Sequence, residues 1–328
     1  MIARHALDCW AMVAPGNWRG TLKGQRVRTR VILDTDIGTD VDDCLAIAFM
    51  LGSQGFTFEG ITCVYGDVEL RARMVRKLLE LRGASDVPIL LGARKPLLGL
   101  RDIYWEGHEG EGLLDAADQA PFSGEHAVDF IVRTVMTNPG AIHLLAIGPL
   151  TNLALAMVKE PRLAANLQHL TIMGGVVRDY DSLDLPVVEH NIRCDPEAAH
   201  LVLSSGAPMT LVPLDVTTKC SICAEDAARL RAVGTPFHDA VAEQVERYPR
   251  FARQGSTFLH DPLAAAVILQ PDLVELTPVH VEVETQGRLT SGMTVVWAPS
   301  ANHPENAKIA LRVDAPRAER FIIDQIAT

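Results

Sequence analysis

Short apolar runs alternate with segments of helical periodicity along most of the chain. Runs of strand length include VILDTD, FEGITCVYG and AIHLLAIG. Between them, segments such as DDCLAIAFML and ELRARMVRKLLELRG repeat apolar residues at helical spacing. The second helical segment ends at a glycine, as helices often do. Repeated strand–helix units predict an α/β fold with a mostly parallel central sheet and helices on both faces.

The length of 328 residues is compatible with one large α/β domain or two smaller ones. No Pro-, Gly- or Ser-rich linker and no internal repeat interrupts the strand–helix pattern. We therefore expect an N-terminal extension over residues 1–30 and a single catalytic domain over residues 31–328. The extension carries no clean signal-peptide pattern, and no apolar run approaches bilayer length. The sequence thus predicts a cytoplasmic protein with no membrane partner.

Charge and cysteine usage narrow the class further. The net charge of -11 argues against a nucleic-acid partner, since phosphate binding requires a basic surface. The six cysteines show no disulfide spacing. Cys220 and Cys223 form an isolated CxxC, which we interpret as two ordinary thiols. His143 lies in an apolar run and is expected to be a hydrogen-bonded core residue.

Polar side chains recur where the predicted strands end. Parallel strands end at one edge of a sheet, so these side chains should lie close together. Carboxylates and amides clustered in this way indicate a hard cation such as Ca²⁺ or Mg²⁺. The residues concerned are Asp34, Asp36, Asp40, Asp42, Asp43, Asp67, Thr151, Asn152, Glu189, Asn191, Asp215, His260 and Asp261.

Four motifs carry a resemblance to a known family. They are ILDTDIGTDVDD, GPLTNLALA, EHN followed by DPEAA, and HDPLAAA. In this order they resemble the inosine-uridine-preferring nucleoside hydrolases, and the later GRLTSGMTVVW is similar to the family's late segment. The match runs from about Val31 to about Ile326.

The resemblance implies one Ca²⁺ bound by Asp36, Asp43, the backbone carbonyl of Thr151, and Asp261. A metal-activated water would attack C1′ of the ribose, with Asp36 as the base. The transition state would resemble an oxocarbenium ion. The family further implies a ribonucleoside substrate and a homodimer or homotetramer. Roles in substrate binding would fall to Asp42, Asp67, Glu189 and Asn191 at the ribose, and His260 would help the base leave.

The sequence departs from the family pattern at several positions. Asp40 is an extra aspartate between the usual ones, and Asp67 replaces an asparagine that contacts ribose. Leu183 stands where another asparagine is usual. Both replacements could alter substrate preference or activity. On the base side, the candidate contacts are Trp105 and His108, with Trp297 and Tyr180 as weaker ones.

Two alternative functions stay open on the residues alone. ILDTDIGT also fits the first motif of haloacid-dehalogenase-type phosphatases, with Asp34 as the nucleophile and Asp36 as the acid. A nucleoside-binding protein of the same fold without hydrolytic activity is the second alternative. The roles of two single residues also stay open, because Asp34 could act from behind Asp36 and Asp215 could be a helix cap.

Overall fold

The computed structural model describes residues 28–118, 122, 124–178 and 183–328. Most of the predicted N-terminal extension lies outside these residues, as does Tyr180. Among the residues that the structure describes, no helix combines the length and apolarity needed to cross a bilayer.

The described chain forms eleven strands. They are β1 Thr29–Thr35, β2 Phe56–Cys63, β3 Ile89–Leu91, β4 His143–Ala146, β5 His169–Met173, β6 Met209–Val212, β7 Ser221–Cys223, β8 Ser256–Phe258, β9 Val274–Val283, β10 Thr294–Trp297 and β11 Ala307–Val313.

The same residues form thirteen α-helices and a short 3-10 helix, Pro271–Leu273. The α-helices are α1 Asp42–Gly52, α2 Val68–Arg82, α3 Ala127–Thr137, α4 Thr151–Lys159, α5 Leu163–Asn166, α6 His190–Cys194, α7 Pro196–Leu203, α8 Leu214–Thr217, α9 Ala224–Ala232, α10 Pro236–Arg247, α11 Pro249–Gln254, α12 His260–Leu269 and α13 Ala315–Ile326.

Nine strands make one sheet in the order β10-β9-β11-β6-β5-β4-β1-β2-β3, and β7 pairs with β8 separately. Along the sheet, each neighbouring pair of strands from β3 through β2, β1, β4, β5 and β6 to β11 is parallel. Strand β9 runs antiparallel to both β11 and β10. The predicted mostly parallel sheet is confirmed, and the antiparallel edge adds a feature that the strand–helix pattern did not predict.

Helices cover both faces of this sheet, as predicted. Successive strand residues point to opposite faces. Accordingly, Val31 and Leu33 of β1 join a hydrophobic core with α1, α12 and α13. Ile32 joins a second core with α3, α4 and α7. Because β1 is buried on both faces, its end is positioned from two sides.

Helix α2 shows how local sequence sets an element boundary. The side chain of Asp67 accepts hydrogen bonds from the backbone nitrogens of Glu69 and Leu70, at 3.2 and 3.1 Å. At the other end, Gly83 adopts φ 72°, a left-handed conformation that favours glycine. The predicted glycine terminus is therefore confirmed.

Candidate active site

A cavity of about 450 Å³ opens at the edge of the sheet where the parallel strands end. Asp36 directly follows β1, Ile147 directly follows β4, and Met173 is the last residue of β5. The cavity brings together eight of the predicted site residues, namely Asp36, Asp42, Asp43, His108, Glu189, Asn191, His260 and Asp261.

The aspartate-rich segment is held by hydrogen bonds around the start of α1. The Thr35 hydroxyl donates to Oδ1 of Asp43 at 2.5 Å and accepts from the backbone nitrogen of Ile37 at 3.2 Å. Asp42 and Asp43 occupy the first turn of α1, where the helix dipole favours negative charge. This local structure directs both carboxylates to the cavity.

Three carboxylates form a compact group suited to a metal ion. Oxygen atoms of Asp42, Asp43 and Asp261 lie within 4.8 Å of one another, and all three side chains are buried. Among the described residues, Oδ1 of Asp261 finds no hydrogen-bond donor. Burial raises the pKa of each carboxyl well above its usual range, and the neighbouring carboxylates raise it further. A cation would remove this repulsion, so the donor set fits a hard metal ion.

Asp36 lines the same cavity and lies near the buried guanidinium group of Arg71. Burial raises the pKa of Asp36, and the Arg71 guanidinium, 3.9 Å from Oδ2, opposes that rise. A Cβ at Gly148 would come within 2.7 Å of Oδ1 of Asp36. Only a residue without a side chain at Gly148 therefore leaves Asp36 in this position.

Sequence reasoning missed Arg71. Its side chain is fully buried, and it donates from Nε to the carbonyl of Tyr65 and from Nη1 to that of Ile37, each at 2.7 Å. Arg71 follows Val68 by three residues, so it lies on the apolar face of α2. A charged residue at an apolar position of the helical pattern could therefore have identified Arg71 from the sequence.

Glu189 and Asn191 line the cavity from the start of α6. The Glu189 carboxylate accepts from the backbone nitrogens of Asn191, Ile192 and Gly175, at 2.7, 3.0 and 3.1 Å. The amide nitrogen of Asn191 donates to the carbonyl of Ile147 at 2.9 Å. Both side chains are therefore held rigidly by backbone groups.

Three histidines line the cavity, and two of them, His108 and His260, are among the predicted site residues. His260 begins α12, and its Nδ1 lies 2.7 Å from the Thr217 hydroxyl, which leaves Nε2 available to a ligand. Burial lowers the pKa of His260 to about 4. His108 also lines the cavity, with Nε2 3.1 Å from the carbonyl oxygen of Thr39.

The remaining three predicted residues do not line the cavity. Thr151 starts α4, and its hydroxyl donates to Oδ2 of Asp195 at 2.6 Å. Asp67 is exposed, and its carboxylate caps α2 instead of facing the cavity. The Trp105 ring lies over the Arg71 guanidinium, 5.0 Å from its carbon atom.

Residues with no firm assignment from sequence also line the cavity. Asp40 accepts a hydrogen bond from the Tyr248 hydroxyl at 2.7 Å. Arg250 and Tyr104 belong to the same wall. Trp297 instead stacks on His303, with ring centroids 4.7 Å apart, and does not line the cavity.

Asp34 supports the site from behind. One oxygen accepts from the Thr62 hydroxyl at 2.5 Å and from the Asn152 amide at 2.8 Å, and the residue is fully buried. Burial raises its pKa to about 7. Because Asp34 does not line the cavity, it cannot serve as a nucleophile there, and the phosphatase alternative is wrong.

The structure corrects one further sequence interpretation and confirms two. Asp215 is not a helix cap, since its carboxylate accepts from the backbone nitrogens of Val177 and Arg178, at 2.8 and 3.0 Å. Cys220 and Cys223 are free thiols, as predicted. His143 is buried, with Nε2 2.9 Å from the Thr171 hydroxyl, so its predicted core role is confirmed.

Comparisons with known proteins agree with this geometry. Residues 31–320 match the model of the family described as inosine-uridine preferring nucleoside hydrolase. A pyrimidine-specific ribonucleoside hydrolase, RihA, of Citrobacter koseri is 37% identical over 311 residues, covering 90% of this chain and 97% of that protein. An uncharacterised protein of Schizosaccharomyces pombe is 33% identical over 309 residues, with coverage of 90% and 98%.

A solved structure of a purine-preferring ribonucleoside hydrolase from Gardnerella vaginalis superposes with a TM-score of 0.82. It is 29% identical, and the match covers 91% of this chain and 98% of that one. The family match spans most of the chain, and these relatives align over nearly their whole lengths. The chain therefore belongs to the inosine-uridine preferring nucleoside hydrolase family, and it is a nucleoside hydrolase enzyme.

Proposed function

We propose that the protein hydrolyses the N-glycosidic bond of ribonucleosides in a calcium-dependent reaction that releases a free base and ribose. One observation carries this proposal. Asp42, Asp43 and Asp261 place carboxylate oxygens within 4.8 Å of one another in a buried group, and Asp36 lines the same cavity. Oxygen-rich groups of this kind bind hard divalent cations.

The proposed metal ligands are Asp36, Asp43, Asp261 and the backbone carbonyl of Thr151. The spacing of the Asp43 and Asp261 oxygens supports two of them, and Oδ1 of Asp261 has no donor among the described residues. The assignment of Thr151 rests on the family resemblance alone. A bound Ca²⁺ would lower the pKa of a water molecule and hold two ribose hydroxyls.

Asp36 is the proposed general base for the attacking water. A base must lie in reach of that water and keep a pKa suited to proton transfer. The buried position of Asp36 raises its pKa, and the charge of Arg71 limits the rise. Gly148 keeps the space beside Oδ1 open.

The remaining carboxylates would stabilise the sugar as positive charge develops on it. As C1′ loses the base, the ribose resembles an oxocarbenium ion, which negative groups in a dry cavity stabilise. Asp42, Glu189 and Asn191 are proposed to bind the ribose hydroxyls. The backbone hydrogen bonds to Glu189 support this role, because they hold its carboxylate without reorganisation.

His260 is proposed to assist the departing base through Nε2. Its Nδ1 is engaged with Thr217, and the ring lines the cavity. His108, in the same cavity wall, is proposed to contact the base. Trp105 and Asp67 stay proposals from resemblance, since neither lines the cavity.

The decisive experiment is a ribose-release assay with separate nucleosides, in Ca²⁺ and again after chelation. We expect release from at least one of inosine, adenosine, guanosine, uridine and cytidine, and loss of release on chelation. Asp36→Asn should abolish turnover without unfolding the protein, whereas Asp86→Asn, at an exposed position outside the cavity, should not. Release that survives both chelation and Asp36→Asn would contradict the mechanism.

The quaternary structure and location rest on the resemblance and on the sequence. We propose a homodimer or homotetramer in the cytoplasm. Light scattering of the purified protein at several concentrations tests the assembly, and a monomer at all of them would contradict it.

A further inference from the structure

An irregular segment contributes Tyr104, Glu106 and His108 to the cavity wall. Residues 102–109 form neither a helix nor a strand, so no backbone ladder fixes their positions. Side-chain contacts therefore set the direction in which His108 points. Glu109 makes these contacts. It is buried, with 7% of its surface exposed, and does not itself line the cavity.

The Glu109 carboxylate binds the backbone immediately before His108. Its Oε1 accepts a hydrogen bond from the backbone nitrogen of Glu106 at 2.8 Å, and its Oε2 accepts one from that of Gly107 at 2.7 Å. Oε1 also accepts from the Thr39 hydroxyl at 3.2 Å. A buried carboxylate is costly unless donors satisfy it. The three hydrogen bonds therefore stabilise both the carboxylate and the turn that carries His108.

Thr39 connects the same turn to the aspartate-rich segment through a second atom. Its carbonyl oxygen lies 3.1 Å from Nε2 of His108. Because a carbonyl oxygen only accepts hydrogen bonds, Nε2 carries the hydrogen in this contact. The other ring nitrogen, Nδ1, makes no hydrogen bond within the described part of the chain, and the ring lines the cavity. His108 thus presents Nδ1 to a ligand.

We propose that Glu109 is a positioning residue for His108. Its carboxylate fixes the turn before His108 against Thr39, so that the imidazole ring keeps a set position relative to the buried aspartates. The inference rests on the proposed function, in which His108 contacts the departing base. Glu109 does not touch the substrate, and its effect on the reaction passes through Nδ1 of His108. Groups that act on a substrate need such support, because small displacements lower the rate.

The test separates positioning of His108 from general support of the fold. Glu109→Gln keeps the size of the side chain but replaces one acceptor oxygen by an NH₂ donor, so one backbone N–H group loses its acceptor. p-Nitrophenyl β-D-ribofuranoside has the sugar of a nucleoside and a leaving group that departs without assistance, so it should not depend on His108. Glu111→Gln, at an exposed position two residues further along the chain, is the matched control.

We expect Glu109→Gln to lower kcat/KM by about 10- to 100-fold for the nucleoside that wild type hydrolyses fastest, because a displacement of about 1 Å can cost about 100-fold. The value for p-nitrophenyl riboside should change little, and His108→Ala should show the same selective loss. In the double variant, kcat/KM for the nucleoside should equal that of His108→Ala alone, because the two residues act as one unit. Glu111→Gln should behave as wild type.

A second pair of variants tests the same contact with a smaller change. Thr39→Val removes the hydroxyl that donates to Glu109 and keeps the carbonyl that binds His108, whereas Thr39→Ser keeps both groups. We expect a loss confined to the nucleoside in Thr39→Val and none in Thr39→Ser. A disturbance of Asp36 would instead slow both substrates. Circular dichroism of each variant shows whether the fold is retained, and Thr39→Val decides the question if Glu109→Gln unfolds.

The outcomes distinguish the two proposals. If wild type with Ca²⁺ releases ribose from no nucleoside, the proposed function fails, and the inference fails with it. If wild type is active but Glu109→Gln slows both substrates equally, Glu109 only supports the fold and the inference is overturned. Losses that multiply in the double variant also overturn it. So does wild-type nucleoside hydrolysis by His108→Ala or by folded Glu109→Gln.

Discussion

The Arg71 guanidinium lies 3.9 Å from the Asp36 carboxylate, with 0% and 8% of the two side chains exposed. The same guanidinium binds the carbonyls of Tyr65 and Ile37, which follow neighbouring strands. The buried Arg71 guanidinium thus links α2 to the turn that positions Asp36. Removing a buried partner leaves the other charge uncompensated.

Arg71→Met should accordingly destabilise the protein by about 3 kcal/mol or more, since it leaves the buried Asp36 carboxylate without its counter-charge and two backbone carbonyls without a donor. Urea unfolding followed by circular dichroism measures this change. Arg73→Met, two residues along the same helix and only partly buried, serves as the control. Equal free energies of unfolding for the two variants would show that the contacts of Arg71 do not stabilise the fold.

Gly148→Ala should impair catalysis without unfolding the protein. The added Cβ would lie 2.7 Å from Oδ1 and 3.0 Å from the backbone nitrogen of Asp36, so Asp36 must move. Misplacement of a reacting group by about 1 Å costs on the order of 100-fold in rate, and kcat should fall accordingly.

The control for Gly148→Ala is Gly124→Ala, where an added Cβ meets nothing within 4 Å. Steady-state kinetics of both variants, with the nucleoside that wild type hydrolyses fastest, would measure the predicted fall in kcat. Wild-type turnover in Gly148→Ala would mean that Asp36 tolerates displacement, which is incompatible with its assignment as the base.

Ca²⁺ should stabilise the folded protein, and Asp261→Asn should remove that effect. Because an ion that binds only the folded state stabilises it by mass action, about 2.7 kcal/mol is expected at one hundred times Kd. Burial and the neighbouring aspartates raise the pKa of Asp261, so its charge is unfavourable without a cation. In chelator, Asp261→Asn should therefore melt at or above the wild-type temperature.

Thermal melts with Ca²⁺ and with chelator test this pair of expectations. Asp86→Asn, an exposed aspartate, should keep the wild-type response. A Ca²⁺ shift that persists in Asp261→Asn would place the metal elsewhere.

His143 should make stability depend on pH. Burial lowers its folded pKa to about 3, whereas the unfolded value is about 6.5. Between these values the unfolded chain binds the extra proton, so the stabilising contribution is present above about pH 6.5 and is lost as the pH falls. Lowering the pH from about 7 to about 5 should cost about 2 kcal/mol through this residue.

Comparing urea unfolding of wild type and His143→Gln at these two pH values isolates that contribution. His200→Gln, at an exposed position on α7, should behave as wild type. An identical pH dependence in wild type and His143→Gln would mean that the Thr171 contact does not hold the neutral ring.

Sequence alone was sufficient for the parallel part of the sheet and for eight of the residues that line the cavity. The apolar runs and helical periodicity are local properties, so β1, α1 and α2 could be predicted from spacing. Parallel strands end at one edge, which is why the order of the residues already predicts that Asp36, Glu189 and His260 lie together. The antiparallel edge formed by β9 and β10 escaped prediction because strand pairing is a long-range property.

Tertiary structure alone decided which side chains at that edge face the cavity. Asp67 stands at the expected strand end, yet its carboxylate caps α2, because the first backbone nitrogens of a helix need acceptors. Arg71 lies against Asp36, and Arg250 lines the same cavity as His260. In each case the two residues belong to different elements, so no local sequence pattern encodes their proximity. Residue types and their order predict the chemistry, whereas burial and long-range contacts determine which of those groups can perform it.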